Sequence, residues 1–155
     1  MPRTLFRMKH AALALCAPLA ALLLAACASG LPPHLTDQQR LERYQTYAGP
    51  PIPQFTWLGR FYSWEELGRD RLVVFTTPND AYLLKVWPQC DLRFDFNLIG
   101  ISSTASTVSA HGDYVTVHSA ATGPMRCPID EIRKVDYPRM RADLRAHAQT
   151  QPPQQ

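Results

Sequence analysis

Residues 11–26 form an uncharged run rich in Leu and Ala, and this run limits which part of the 155-residue chain can form a folded domain. Arg3, Arg7 and Lys9 precede the run, and no acidic residue accompanies them. A basic start followed by an apolar run is the layout of a secretory signal peptide. The run is also shorter than the roughly 20 residues that a membrane-spanning helix needs. The sequence therefore predicts that residues 1–26 are a signal peptide and that the remainder is exported.

The apolar run ends in Leu24-Ala25-Ala26-Cys27, which resembles the lipobox of bacterial lipoprotein precursors. Small residues fit a narrow protease groove, and the cysteine thiol is the group that takes a diacylglyceryl chain. The resemblance implies cleavage before Cys27 and lipidation of that residue, with incorporation of palmitate. Cys16 fits the motif less well, because Leu15 is bulky at the cleavage position. The alternative is an ordinary signal peptide in which Cys27 is incidental.

Lipidation of Cys27 would fix the location of the mature protein. Each buried methylene of an acyl chain contributes about 0.8 kcal/mol, so two or three chains give durable anchoring. In lipoproteins an Asp after the lipidated cysteine signals retention in the inner membrane, and here that position is Ala28. The resemblance therefore implies an exported protein anchored on the periplasmic side of the outer membrane. No later stretch approaches the length of a membrane span, so we expect a tethered domain rather than an embedded one.

The formal net charge of +3 does not indicate a nucleic-acid partner, because the excess lies in the signal peptide. From Cys27 onward the chain has 13 basic and 13 acidic residues. Hydrophobic residues make up 46% of the chain, which excludes disorder along its whole length. The mature part is therefore predicted to be globular and formally neutral, with no nucleic-acid partner.

Two cysteines, Cys90 and Cys127, remain once Cys16 leaves with the signal peptide and Cys27 is lipidated. Each cysteine falls on the same alternate positions as its apolar neighbours, so both are expected to face the apolar side of a strand. Two such cysteines in an exported protein favour a structural disulfide. In the chain-entropy model the closed loop would stabilise the fold by about 4 kcal/mol. Two free buried thiols and a redox-active pair are the alternatives, although no Cys-x-x-Cys spacing is present.

The regular elements begin with Thr36 and Gln39, which fit a capping box and predict a helix over residues 37–47. A Gly-Pro-Pro sequence ends this helix, and a second helix is predicted over residues 138–147. The apolar, β-branched run 72–76 predicts a strand covered on both faces. A Thr-Pro-Asn-Asp turn leads from it into a return strand. The return strand covers residues 81–87. The remaining predicted strands cover residues 55–57, 90–98, 113–118, 125–127 and 132–135.

These elements predict an α+β, β-rich fold. We expect a small, mostly antiparallel sheet or barrel-like roll of about six strands, with a helix near each end. Residues 27–35 are interpreted as a linker and residues 36–147 as a single domain. Residues 148–155 form a polar tail with two prolines, which predicts disorder.

Five aromatic residues in a span of ten are the strongest candidate ligand contacts. In an exposed arrangement they would form a stacking platform for a sugar ring or another flat ligand. In a small domain, however, aromatic side chains carry much of the buried area, which favours a core role. The five residues are Phe55, Trp57, Phe61, Tyr62 and Trp64.

No other motif points to catalysis or to a metal ion. The hydroxyl-rich residues 102–109 contain no Gly-x-Ser-x-Gly or Ser-x-x-Lys motif and favour a polar loop or edge strand. No His-x-x-x-His or Glu-x-x-His frame is present, although two histidines seven residues apart could approach across a hairpin. The sequence therefore predicts no catalytic residue, metal or cofactor. The histidines of the mature chain are His34, His111, His118 and His147.

Short motifs around the two cysteines carry a second resemblance. They are Ala81-Tyr82-Leu83-Leu84, Cys90-Asp91-Leu92 and Cys127-Pro128-Ile129, followed by Ile132 and Val135-Asp136. Over residues 57–136 the chain resembles a domain-of-unknown-function family of small exported proteins from Gram-negative bacteria. The resemblance implies that both cysteines belong to the fold, and it supplies no catalytic residue.

The sequence therefore favours a non-enzymatic, membrane-anchored envelope protein that acts as an interaction or structural module. A module that binds a small envelope ligand through residues 55–64 is the alternative, and a periplasmic enzyme is the third choice. The expected partners are the membrane, through the lipid on Cys27, and an envelope protein or small envelope ligand.

Overall fold

The computed structural model describes residues 35–93, 99–119 and 123–150. One compact unit begins at Leu35. Its elements, in chain order, are α1 (Asp37–Thr46), β1 (Ala48–Ile52), β2 (Gln54–Thr56), β3 (Ser63–Glu66), β4 (Arg71–Phe75), β5 (Ala81–Val86), β6 (Ile99–Ile101), β7 (Thr107–Ser109), β8 (Tyr114–Ser119), β9 (Gly123–Val135) and α2 (Tyr137–Thr150).

Seven of the strands form one antiparallel sheet with β9 at its centre. The strand order is β3-β4-β5-β9-β8-β6, and β1 also pairs with β9. β5 pairs with the C-terminal half of β9, and β8 pairs with its N-terminal half. β2 and β7 form a separate two-stranded sheet. The main sheet curls into a half-barrel, which confirms the predicted β-rich fold with a helix near each end.

β4 shows how the sheet separates two apolar clusters. Its residues Leu72 and Val74 belong to the larger cluster, which also receives side chains from β5, β8 and β9. Val73 and Phe75 point to the opposite face, where α1 and α2 supply the cover. A strand buried on both faces needs apolar residues at consecutive positions, as the sequence predicted here. We refer to the two groups as the inner cluster and the helix-side cluster.

A β-bulge lies in the middle of β9. Lys85 of β5 pairs with Glu131, whereas the next residue, Val86, pairs with Ile129, so Asp130 is the extra residue. An extra residue shifts the alternation of faces and bends the strand. Ile129 before the bulge and Ile132 after it therefore both reach the inner cluster. The prediction of two separate strands over residues 125–127 and 132–135 is wrong, because they are halves of one strand.

Both helices cover the helix-side cluster. The capping box of α1 is present, since Thr36 Oγ1 accepts a hydrogen bond from Gln39 N at 3.2 Å and the Gln39 side chain accepts one from Thr36 N at 2.9 Å. Tyr44 of α1 and Met140 of α2 are buried. Because α2 continues to Thr150, the prediction of disorder from residue 148 is wrong as far as that residue. The rest of the predicted tail lies outside the described residues.

Two further segments differ from the predictions. Residues 48–52, whose Gly-Pro-Pro sequence was expected only to end α1, form the strand β1, and its prolines are compatible with an edge strand. Residues 90–93 form no strand although Cys90 and Leu92 are buried and Arg93 is exposed. The alternation of buried and exposed side chains in this segment comes from the packing of irregular backbone and not from a strand. The remainder of that predicted strand, residues 94–98, lies outside the described residues.

In the part of the chain that is described, neither helix has the length and apolar character that crossing a bilayer requires.

Candidate functional site

Cys90 and Cys127 are joined by a disulfide, with their Cα atoms 5.7 Å apart. Both cysteines belong to the inner cluster, and Cys127 is fully buried in β9. The bond attaches the irregular segment 87–93 to the central strand. The predicted pairing is confirmed, and the burial of both sulfur-bearing residues fits a structural bond.

The five aromatic residues of segment 55–64 do not share one exposed face. Phe55 and Trp57 are buried in the inner cluster, and Phe61 and Trp64 pack against it. Trp57 stacks on Phe61 with ring centroids 5.1 Å apart. Tyr62, by contrast, is 64% exposed. The segment therefore has the core role that the size of its side chains favoured, and it offers no continuous stacking platform.

A surface cleft of about 520 Å³ lies over the bulge of β9. Ile52 of β1 pairs with Ile132, while His111 N donates a hydrogen bond to Ile129 O at 2.8 Å. β1 and the segment before β8 thus meet β9 on either side of the bulge and leave a gap. The cleft is lined by Pro51, Ile52, Pro53, Ala110, His111, Asp130, Glu131 and Ile132.

The two carboxylates of this cleft are both paired with cations. Lys85 Nζ lies 2.6 Å from Asp130, and Arg133 Nε lies 2.7 Å from Glu131. The hydrogen bond from Lys85 lowers the pKa of Asp130, and the hydrogen bond from Arg133 lowers the pKa of Glu131. Both groups are therefore ionised at neutral pH, and their lowered pKa values make them poor general bases. The cleft suits contact with a polar ligand better than proton transfer.

The histidines that the structure describes lie in separate places. His111 precedes β8 and His118 lies within it, so the suggested approach across a hairpin does not occur. His147 lies in α2, and His34 is outside the described residues. Among the residues that the structure describes, no three His, Cys, Asp or Glu side chains are placed to hold a metal ion.

The sequence did not reveal the role of Asp113, a buried acid that is only 6% exposed. Its carboxylate accepts hydrogen bonds from Ser102 Oγ at 2.6 Å, Ser109 N at 2.9 Å and Ser109 Oγ at 2.8 Å. Burial by itself opposes ionisation of Asp113, but these hydrogen bonds outweigh it and lower the pKa. The sequence feature that could have indicated this network is an acidic residue shortly after the hydroxyl-rich residues 102–109. The network holds the loop between β6 and β8 in place.

Glu65 of β3 forms a second polar cluster with α1. It accepts hydrogen bonds from Arg40 at 2.9 Å and from the Tyr44 hydroxyl at 2.6 Å. Burial and the hydrogen bond to Glu65 both raise the pKa of Tyr44, so its hydroxyl remains a donor. This cluster fastens the helix to the sheet.

The fold and its buried bridge define a small, disulfide-bonded protein with a curled antiparallel sheet. Its sequence matches the model of a family of unknown function (DUF6491) over residues 8–151, and the chain belongs to that family. No curated protein and no solved structure matches it. Because the function of the family is unknown, membership assigns no catalytic or binding residue.

Proposed function

We propose that this protein is an exported lipoprotein, anchored to the outer membrane through Cys27, that acts as a non-enzymatic interaction or structural module of the bacterial envelope. The observation that supports it most is the sequence from the basic start through the apolar run to Leu24-Ala25-Ala26-Cys27. The disulfide between Cys90 and Cys127 fits this proposal, because such bonds persist in oxidising compartments outside the cytosol.

The state of the polar groups supports a non-enzymatic role. The carboxylates of Asp130 and Glu131 are each held by a cation, and Asp113 is hydrogen-bonded to two serines. Every buried side-chain nitrogen or oxygen among the described residues has a hydrogen-bond partner. Catalytic acids and bases, in contrast, tend to have pKa values shifted towards the pH at which they work.

The test of the anchor is replacement of Cys27 by Ser in cells supplied with labelled palmitate. We expect the native protein to carry the label and to sediment with membranes, and Cys27→Ser to lose both properties. The matched control is Cys16→Ser, which removes the other cysteine of the precursor segment and is expected to keep the label. Label retained by Cys27→Ser, or absent from the native protein, would refute lipidation at this residue.

The same cells test which membrane holds the protein and whether it contacts an envelope protein. On fractionation we expect the native protein with outer-membrane markers and Ala28→Asp with inner-membrane markers. Native protein in the inner-membrane fraction would contradict the proposed location. Crosslinking of the lipidated protein in the cell, followed by mass spectrometry, is expected to capture an envelope protein.

Binding of a small envelope ligand is the second candidate function. The observation that favours it is the cleft over the bulge of β9, which is lined by His111 and by two carboxylate residues that are paired with cations. The burial of Phe55 and Trp57 moves this candidate away from segment 55–64.

A further inference from the structure

The position at which the chain enters the domain determines which end of the sheet is nearest to the anchor. α1 begins at Asp37, and a Cβ built on Gly68 would lie 4.0 Å from the Cβ of Asp37. The chain therefore enters beside the connection between β3 and β4. Tyr62, which precedes β3, lies at the opposite end of that strand.

The connection between anchor and domain is short. Cys27 and Leu35 are eight residues apart, which spans at most about 29 Å when the chain is fully extended. A domain of this size has a diameter of about 35 Å. With a lipid on Cys27, the end at which the chain enters would stay within one domain diameter of the bilayer.

That end carries an exposed indole. Val86 N donates a hydrogen bond to Asp70 O at 3.0 Å, and Leu92 N donates one to Arg69 O at 2.8 Å. The segment that follows β5 therefore lies along the β3–β4 connection. Trp87, the first residue of this segment, is 50% exposed.

Two arginines and a leucine extend the same surface. Arg69 and Arg93 both lie beside Asp91, with nitrogen–oxygen distances of 3.3 Å and 2.8 Å, and more than half of each arginine side chain is exposed. Leu35, where the described domain begins, is 37% exposed. We refer to Leu35, Arg69, Trp87 and Arg93 as the tether-side surface.

We propose that the tether-side surface rests on the lipid headgroups of the membrane that holds Cys27, with the indole of Trp87 inserted at the interface. This inference rests on the proposed lipidation of Cys27. Tryptophan suits the headgroup layer because its ring is apolar and its N–H seeks a polar partner. The Asp91 carboxylate occupies only some of the guanidinium N–H groups of Arg69 and Arg93, so the remaining groups can donate to lipid phosphates while the arginine stems cover apolar surface. The shortness of the tether favours lipid over a soluble protein as the occupant.

The test uses the full lipidated protein, reconstituted into vesicles of phosphatidylethanolamine and phosphatidylglycerol with brominated acyl chains. Brominated lipids quench the fluorescence of a tryptophan that enters the interface. Of the three tryptophans, Trp57 is buried and Trp64 packs against the inner cluster. We expect the native protein to be quenched, Trp87→Phe to lose most of the quenching, and the matched control Trp64→Phe to keep it.

The outcomes separate this inference from the anchor itself, because labelled palmitate is measured on the same preparation. Labelled protein that is not quenched, or that is quenched equally in Trp87→Phe, would overturn the docking and leave the anchor standing. Capture of a protein by a crosslinker placed at residue 87, without quenching, would assign the surface to a protein partner instead. Absence of the palmitate label would remove the proposed function and the docking together.

Discussion

Cys90 and Cys127 illustrate, at the scale of single residues, how a covalent bond replaces strand pairing. Residues 90–93 have no strand partner. Their backbone forms two hydrogen bonds, in which Cys90 N donates to Trp87 O and Leu92 N donates to Arg69 O. The disulfide fixes this segment to β9 inside the inner cluster. Its loss would release apolar surface as well as a covalent constraint.

We therefore expect the double variant Cys90→Ala, Cys127→Ala to lose about 2–5 kcal/mol of unfolding free energy. The measurement is chemical denaturation of the variant and of the native protein, with and without reductant. Reductant should destabilise the native protein and leave the variant unchanged. Thiol titration of unfolded, unreduced mature protein should find neither cysteine free. Two free thiols, with a stability that reductant does not alter, would show that the pair is not a structural bridge.

The Asp113 carboxylate gives a pH-dependent prediction. Its pKa is lowered in the fold, so its ionised form stabilises the protein above the ordinary Asp pKa of about 3.9. That contribution is lost as the pH falls through the lower, folded-state pKa. Asp113→Asn should therefore lose about 1–3 kcal/mol near neutral pH, and the difference from the native protein should shrink below about pH 4.

Urea denaturation across this pH range measures the effect of Asp113→Asn. Asp80→Asn is the matched control. The Asp80 carboxylate is exposed and lies 3.3 Å from the exposed Lys134 ammonium, and such surface ion pairs contribute little to stability. A stability difference for Asp113→Asn that stays constant with pH would mean that the charge of the carboxylate is unimportant.

At the scale of elements, Glu65 of β3 makes polar contacts with two residues of α1. Glu65 accepts hydrogen bonds from Arg40 and from the Tyr44 hydroxyl, and Tyr44 is buried. Removal of the acceptor leaves that hydroxyl without a protein partner. Such a loss costs about 1–3 kcal/mol.

Glu65→Ala should therefore loosen α1 while the central strands stay protected. Amide hydrogen exchange is expected to accelerate in residues 37–46 more than in β5 or β9. Glu42→Ala is the matched control, because Glu42 interacts through its side chain with the exposed Gln38 of the same helix. Equal protection of α1 in the native and Glu65→Ala proteins would show that apolar packing alone holds the helix.

The elements also differ in how far the sequence could predict them. β4, β5 and β8 have uninterrupted apolar or alternating patterns, and the structure has strands there. The pattern of β9 is interrupted by Pro128 and by the bulge at Asp130, which reverses the alternation. β1 contains two prolines, so local propensity argues against the strand that pairing with β9 imposes. Both β1 and β9 therefore form through pairing with other strands and not through the preference of their local sequence.

The candidate site was less predictable than the fold, because it is assembled from distant parts of the chain. The cleft joins Pro51, Ala110 and Asp130, which share no local motif. The aromatic cluster was visible because its members are neighbours in sequence, and that same proximity gave no information on which side chains are buried. The cysteine pair was predictable because the expectation of export and the alternation of apolar neighbours limited the choices.

At the scale of the whole molecule, the sheet is one layer between two different apolar clusters. The inner cluster is enclosed by the curled strands and the β2–β7 pair, and the helix-side cluster is covered by α1 and α2. β4, β5 and β9 contribute to both. The two clusters therefore share their central strands, and neither is complete without them.

The position of β9 adds a temporal constraint. β9 lies at the centre of the sheet in space, yet among the described residues it is the last strand in sequence, and its Val135 pairs with Ala48 of β1. Pairings between residues so far apart form slowly. A chain that emerges amino terminus first, from a ribosome or from a translocation pore, cannot close its sheet until residue 135 is free. Until then only pairings between earlier strands, such as β3–β4 and β4–β5, can form.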